Sequence, residues 1–178
     1  MMKFYLFISI VFFVICQKSK AQHIPLKVTI DKQTKIGERI FIDHADSSLV
    51  ALENSALNMS ITGVAIIAFI PGDTTLSWIS KMKVIGALTV GNVNYLAIAG
   101  SKASEMASTL KNSGTGVRAP MAGEFGYPGG VIKKVRGGYI LAVFSGGTVE
   151  QDLEAANKGL GWLSKFYIGS IDKKTTLK

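Results

Sequence analysis

Two rhythms of apolar and polar residues run through this chain, and elements begin and end where the rhythm changes. Between 123 and 152, eight of the chain's 19 glycines frame two short apolar runs, 131–135 and 139–144. Glycine pairs around β-type runs predict a hairpin. Gly129-Gly130 leads in, Arg136-Gly137-Gly138 turns, and Ser145-Gly146-Gly147 leads out. Thr148 then stands at a helix N-cap position. Glu150, Gln151 and Asp152 occupy the first turn, where backbone N–H groups lack partners, and they read as capping groups rather than paired catalytic acids. Val149, Leu153, Ala156, Leu160 and Leu163 share one helical face and predict a last helix over 148–167.

The earlier chain reads less uniformly. Residues 22–47 form a weakly patterned arm, in which 27–34 could be a short strand. Ile36, Ile40 and Phe41 fit either a helical turn or a second extended piece. Leu49, Leu52, Ala56 and Leu57 predict a helix over 48–59, entered through Asp46-Ser47-Ser48 and stopped before Gly63. The unbroken run 64–70 predicts a buried strand, and 76–83 its hairpin partner across Pro71-Gly72-Asp73. Residues 86–100 and 102–111 carry helical spacing, with a kink or break at Gly100. Residues 117–128 form an irregular loop, and the last ten residues a polar tail. The element order is helix, strand, strand, helix, loop, strand, strand, helix. Hairpin-paired strands with helices between them predict an α+β domain with a mainly antiparallel central sheet.

The N-terminus reads as a secretory signal peptide over 1–21. Lys3 precedes an apolar run at 4–16 that is short for a bilayer span, and Ser19-Lys20-Ala21 offers a small-x-small cleavage site. Lipidation at Cys16 is the rival reading, weakened by Ile15, where a lipoprotein site carries a small residue. The expectation is an exported protein, periplasmic or extracellular, with no membrane association after cleavage. Cys16 is the only cysteine, so the processed chain would have no disulfide and no thiolate chemistry. Losing Lys3, Lys18 and Lys20 leaves 17 basic residues against 12 acidic ones, which lowers the formal charge from +8 to +5. No arginine-rich stripe interleaves with aromatics, so nucleic acid is not an expected partner.

Five pieces, in order, resemble the GlcG/HbpS family of haem-binding proteins, which is related to the C-terminal domain of the PduO adenosyltransferases. The hairpin 64–82 is similar to the family's first hairpin, with Lys81-Met82 where the family often has Arg-Met. The stretch Gly100-Ser101-Lys102-Ala103 is similar to its A-x-x-K-A helix. Gly129-Gly130-Val131-Ile132 sits at its G-G-x-P-[IL] loop, without that proline. Residues 141–146 sit at its closing strand, and Ser145-Gly146-Gly147 through Asp152 at its V-S-G-[GS]-x-x-x-x-D segment. The resemblance covers about 48–166. It implies a profilin-like domain over 48–168, a homo-oligomer, and haem as a ligand in the exported branch. Its other branches imply a small-carboxylate accessory protein or enzyme of glycolate or cobalamin metabolism.

Haem iron takes imidazole, thiolate, thioether or phenolate ligands. With two histidines in the chain, His44 is the better candidate for iron, since His23 lies in the arm. Tyr127 and Met121 are loop candidates for ligating iron or stacking on a porphyrin. Lys102 and Arg118 are candidates for pairing with propionates or a carboxylate substrate, and Gly129 and Gly130 for admitting the ligand. The glycines at 146–147 fit either an anion seat at a helix N-terminus or a tight strand-to-helix turn. No H-E-x-x-H or G-x-S-x-G motif is present, and nothing in the sequence assigns a catalytic mechanism.

Overall fold

Gly63–Pro71 forms β1, the centre of the sheet, because it is apolar on both sides. Its hairpin partner is β2 (Ile79–Ile85), in an unbroken antiparallel register from Gly63 opposite Ile85 to Phe69 opposite Ile79. On its other side β1 pairs antiparallel with β6 (Gly138–Ser145), which in turn pairs with β5 (Gly130–Val135). The sheet order is β2-β1-β6-β5, and every neighbour is antiparallel. This is a computed structural model, and it describes residues 31–168. The expected signal peptide over 1–21, Cys16, His23 and the expected tail at 169–178 lie outside the described residues.

Three helices cover the sheet. Helices α1 (Lys32–Asn58) and α3 (Val149–Ile168) lie on one face, and α2 (Tyr95–Thr109) lies on the other. The strand period divides the core accordingly. Ala65, Ile67 and Phe69 of β1, with Ile140, Ala142 and Phe144 of β6, pack under α1 and α3. Val64, Ile66, Ala68 and Ile70, with Leu141 and Val143, pack under α2 around Ala99, Ala103 and Met106. The result is the α+β architecture expected from the sequence, consistent with a profilin-like fold.

Helix α1 runs antiparallel to α3. Ser48 Oγ donates to the Gly159 carbonyl (2.9 Å), and Tyr167 O–H donates to the Gly37 carbonyl (2.8 Å). These contacts correct the reading of the arm over 32–47, while 22–30 lie outside the described residues. The helix begins at Lys32, capped by Asp31, whose side chain accepts from the Thr34 N–H (2.8 Å). Its buried stripe in this stretch is Thr34, Gly37, Phe41, Ala45 and Ser48. Small residues let α1 sit close to the sheet and to α3, yet they carry little hydrophobic signal. Gly37 shows the closeness: a Cβ there would lie 2.6 Å from the Arg136 carbonyl oxygen.

Two other differences follow from local chemistry. Residues 86–94 are not helical. They hold a small hairpin, β3 (Thr89–Val90) and β4 (Val93–Asn94), turning at Gly91 with φ +59°. Asn94 then caps α2 by accepting from the Ala97 N–H (3.0 Å). Gly100 does not break α2, which runs on to Leu110 in the left-handed conformation. No helix among the described residues is long and apolar enough to cross a membrane.

Candidate functional site

The chemistry gathers where α2, the end of β6 and the start of α3 meet. Lys102 projects from α2 into the core and is only 3% exposed. Its Nζ donates to Asp152 Oδ2 (2.7 Å) and to the Phe144 carbonyl (3.0 Å). Asp152, with a side chain only 6% exposed, also accepts from the Gly147 N–H through Oδ1 (2.9 Å). Two buried opposite charges satisfy each other, and the remaining polar atoms have backbone partners. Burial pushes the Asp152 carboxyl above its ordinary range, against the opposing pull of Lys102 and the glycine N–H groups.

Gly129 makes room for this pair. Its φ is +117°, and a Cβ there would lie 2.6 Å from Lys102 Nζ and 2.9 Å from Asp152 Cβ. Gly130 is similarly approached by Met106, whose Cε would lie 2.7 Å from an added Cβ. Both glycines serve the interior: they admit Lys102 and Met106 rather than an outside ligand. Asp152 fills the anion seat at the start of α3. Thr148 N–H is likewise satisfied within the chain, by Gln151 Oε1 (2.9 Å). The tight-turn reading of Gly146 and Gly147 therefore accounts for this segment.

Above the pair lies a cleft of about 260 Å³, lined by Val93, Tyr95, Ile98, Tyr127, Pro128 and the 145–147 turn, with Lys102 and Asp152 at its base. A second cleft of about 320 Å³ shares Val93, Ile98 and Tyr127 with it and adds Asn92, Asn94, Ala97 and Phe125. The two clefts adjoin at these shared residues, and the groove they border lies between the β3–β4 hairpin, α2 and the 117–128 loop. Tyr127 is 51% exposed on the wall that both clefts share. Its ring lies 5.7 Å from that of Phe125, tilted by 34°.

The loop carrying these aromatics is fastened from within. Arg118 reaches Glu124 through both terminal nitrogens (2.6 and 2.8 Å), and Glu124 also accepts from the Met121 N–H (2.9 Å). Ser101 on α2 accepts from the Phe125 N–H (2.7 Å). The paired guanidinium holds the Glu124 carboxyl down at about 2. A carboxyl whose folded pKa is depressed stabilises above its unfolded value of 4.5, and that contribution is lost as pH falls toward 2. The melting-temperature gap between the native chain and Glu124→Gln is therefore expected to be constant above about pH 5 and to close on acidification toward pH 2. A gap that is flat throughout would show that the pair does not fasten the loop.

The structure brings together Lys102, Tyr127, Gly129 and Gly130 of the residues singled out by sequence. It does not bring His44 to them. His44 sits in the middle of α1, half-buried, with its ring stacked on Phe166 (3.7 Å, 14°) and edge-on to Trp162 (6.2 Å). Phe166 lies fourteen residues beyond Asp152 on α3, roughly 21 Å at 1.5 Å per residue. Met121 is exposed in the fastened loop. Lys102 and Arg118, the two cations proposed for an outside carboxylate, each already hold an acid of the chain. Asp152 was legible only as a cap, because its partner is 50 residues away. Among the described residues, no group of three or more His, Cys, Asp or Glu side chains could hold a metal ion. No family model, curated protein or solved structure matches the chain.

Proposed function

We propose that this chain is an exported haem-binding protein of the GlcG/HbpS kind, and that the porphyrin lies in the groove at Tyr127. The observation that carries this reading is the exposed Tyr127 ring, paired with Phe125, on the common wall of two adjoining clefts lined partly by Val93 and Ile98. A flat apolar ligand fits such a wall, and the phenol is a group that haem iron accepts. The bound haem would supply the iron chemistry. Tyr127 would hold the group through its phenol oxygen, with Phe125 beside it on the wall, and Lys102 and Arg118, already paired with Asp152 and Glu124, would not be its carboxylate partners. The small-carboxylate reading gains nothing from this geometry for the same reason. His44, stacked against Phe166, is not the proposed ligand.

A haemin titration of the processed chain, followed by absorbance, tests the reading. Saturable one-to-one binding with a sharp Soret band is expected. Tyr127→Phe should weaken the affinity by about tenfold or more and shift the band, while His44→Ala leaves both unchanged. Non-saturating binding, or loss of the band only in His44→Ala, would overturn it.

A further inference from the structure

A buried ion pair is a poor way to hold a fold together, since an apolar pair of similar volume often serves as well or better. Lys102 and Asp152 are nonetheless buried together, and both line the cleft of about 260 Å³ that opens over them. The wider cleft of about 580 Å³, between α2 and the exposed Trp78 and Met82 on the β2 side, is lined by no ionisable group. Amine nucleophiles in proteins are lysines set in such apolar surroundings, with a proton acceptor at hand. Here the acceptor is in place. Asp152 Oδ2 lies 2.7 Å from Lys102 Nζ, and Oδ1 is fixed by the Gly147 N–H. Burial raises the Asp152 carboxyl and so favours a proton on it. Of the three protons an ammonium carries, one goes to Asp152 and one to the Phe144 carbonyl. The third has no partner among the described residues.

We propose that Lys102 is a nucleophile that forms an imine with a small, uncharged aldehyde or ketone in this cleft, and that Asp152 carries the protons. Nζ passes one proton to Asp152 Oδ2, and its freed electron pair attacks the carbonyl carbon. The C–N bond forms, the C=O π pair moves to oxygen, and that oxygen takes the proton from Asp152 to give a carbinolamine. A second proton follows the same route, from nitrogen to Asp152 to the hydroxyl. The hydroxyl leaves as water while the nitrogen pair closes the C=N bond. The product is an iminium with one proton on Nζ, facing the Asp152 carboxylate, and no oxidant or reductant is consumed. The ligand class follows from the lining. No cation other than Lys102 lines the cleft, and Asp152 already neutralises it, so a carboxylate on the ligand would find no partner. Val93, Ile98 and the rings of Tyr95 and Tyr127 suit an apolar or aromatic substituent on the carbonyl. The assignment does not rest on the haem reading. Its readout is a covalent mass on one lysine, with no iron involved.

Benzaldehyde with sodium cyanoborohydride, which reduces an iminium to a stable amine, tests the proposal on the chain from Gln22 onward. Peptide mass mapping should find Lys102 benzylated about tenfold or more faster than Lys133 and Lys158, which are exposed. Burial without reactivity predicts the reverse order, with Lys102 last. Ile98→Trp narrows the cleft and leaves both members of the pair in place. It should slow the labelling of Lys102 about tenfold, leave Lys133 and Lys158 unchanged and keep the native circular dichroism. Lys102 labelled no faster than the exposed lysines would overturn the proposal, and that comparison is made on the native chain, whether or not the variant folds. Labelling of Lys102 that a folded Ile98→Trp leaves unchanged would overturn it too, since the aldehyde would then not arrive through the cleft.

Discussion

Lys102→Met is expected to destabilise the protein by about 3–5 kcal/mol near neutral pH, because it strands a buried carboxylate. Asp152 would keep the Gly147 N–H but lose the cation that neutralises it. Its carboxyl, already raised by burial, would rise further and take up a proton. A carboxyl whose folded pKa lies above its unfolded value costs stability once pH passes the unfolded value, and the cost grows until the folded pKa is reached. The variant should therefore approach the native chain near pH 4 and fall behind as pH rises to 7. Replacing both partners, as Lys102→Met with Asp152→Leu, should recover most of the loss, since an apolar pair of similar volume carries no stranded charge. Urea unfolding of the native chain, the two single variants and the double variant across this pH range measures it. Equal losses in the single and double variants would mean that side-chain shape, not charge, holds this junction.

The second large effect is expected at Gly129. An alanine there adds a Cβ 2.6 Å from Lys102 Nζ while holding a left-handed φ of +117°. Backbone strain and a displaced ion pair act together, and about 3–5 kcal/mol should be lost. Lys102 cannot give way without leaving either Asp152 or the Phe144 carbonyl. In the background that lacks both charges, the same alanine should cost less, because no ion pair is left to displace, although residue 152 still presents its Cβ 2.9 Å away. The difference between the two costs is a coupling energy, read by a double-mutant cycle in urea. Zero coupling would place the whole penalty in the backbone.

How much of this was readable in advance depends on the kind of residue involved. The closing hairpin and α3 were legible because glycine pairs and regularly spaced Leu and Ala report their geometry directly. The first half of α1 was not, because Gly37, Ala45 and Ser48 pack closely without being strongly apolar. The β3–β4 hairpin was missed because Val90 and Val93 fit a helical spacing as well as a two-residue strand. At the site, Lys102 was found by type and position, but its role turned on Asp152, which only the fold brings near. Arg118 and Glu124 are different. They stand six residues apart in a glycine-bearing loop, so an internal clasp was available to a reader of the sequence. The exposed face of β2 was partly visible as Trp78 and Met82. What covers the rest of that sheet side, and therefore leaves them bare, is set by where α2 lies.

The location of haemin on the protein is the most direct test. Ferric haemin broadens nearby amide signals in a nuclear magnetic resonance titration of the isotope-labelled chain from Gln22 onward. The amides of Val93, Ile98, Phe125 and Tyr127 should lose intensity first, while those of Ala51, Trp162 and Phe166 persist. Broadening centred on His44 and Phe166, or on Trp78 and Met82, would contradict the assignment of the groove.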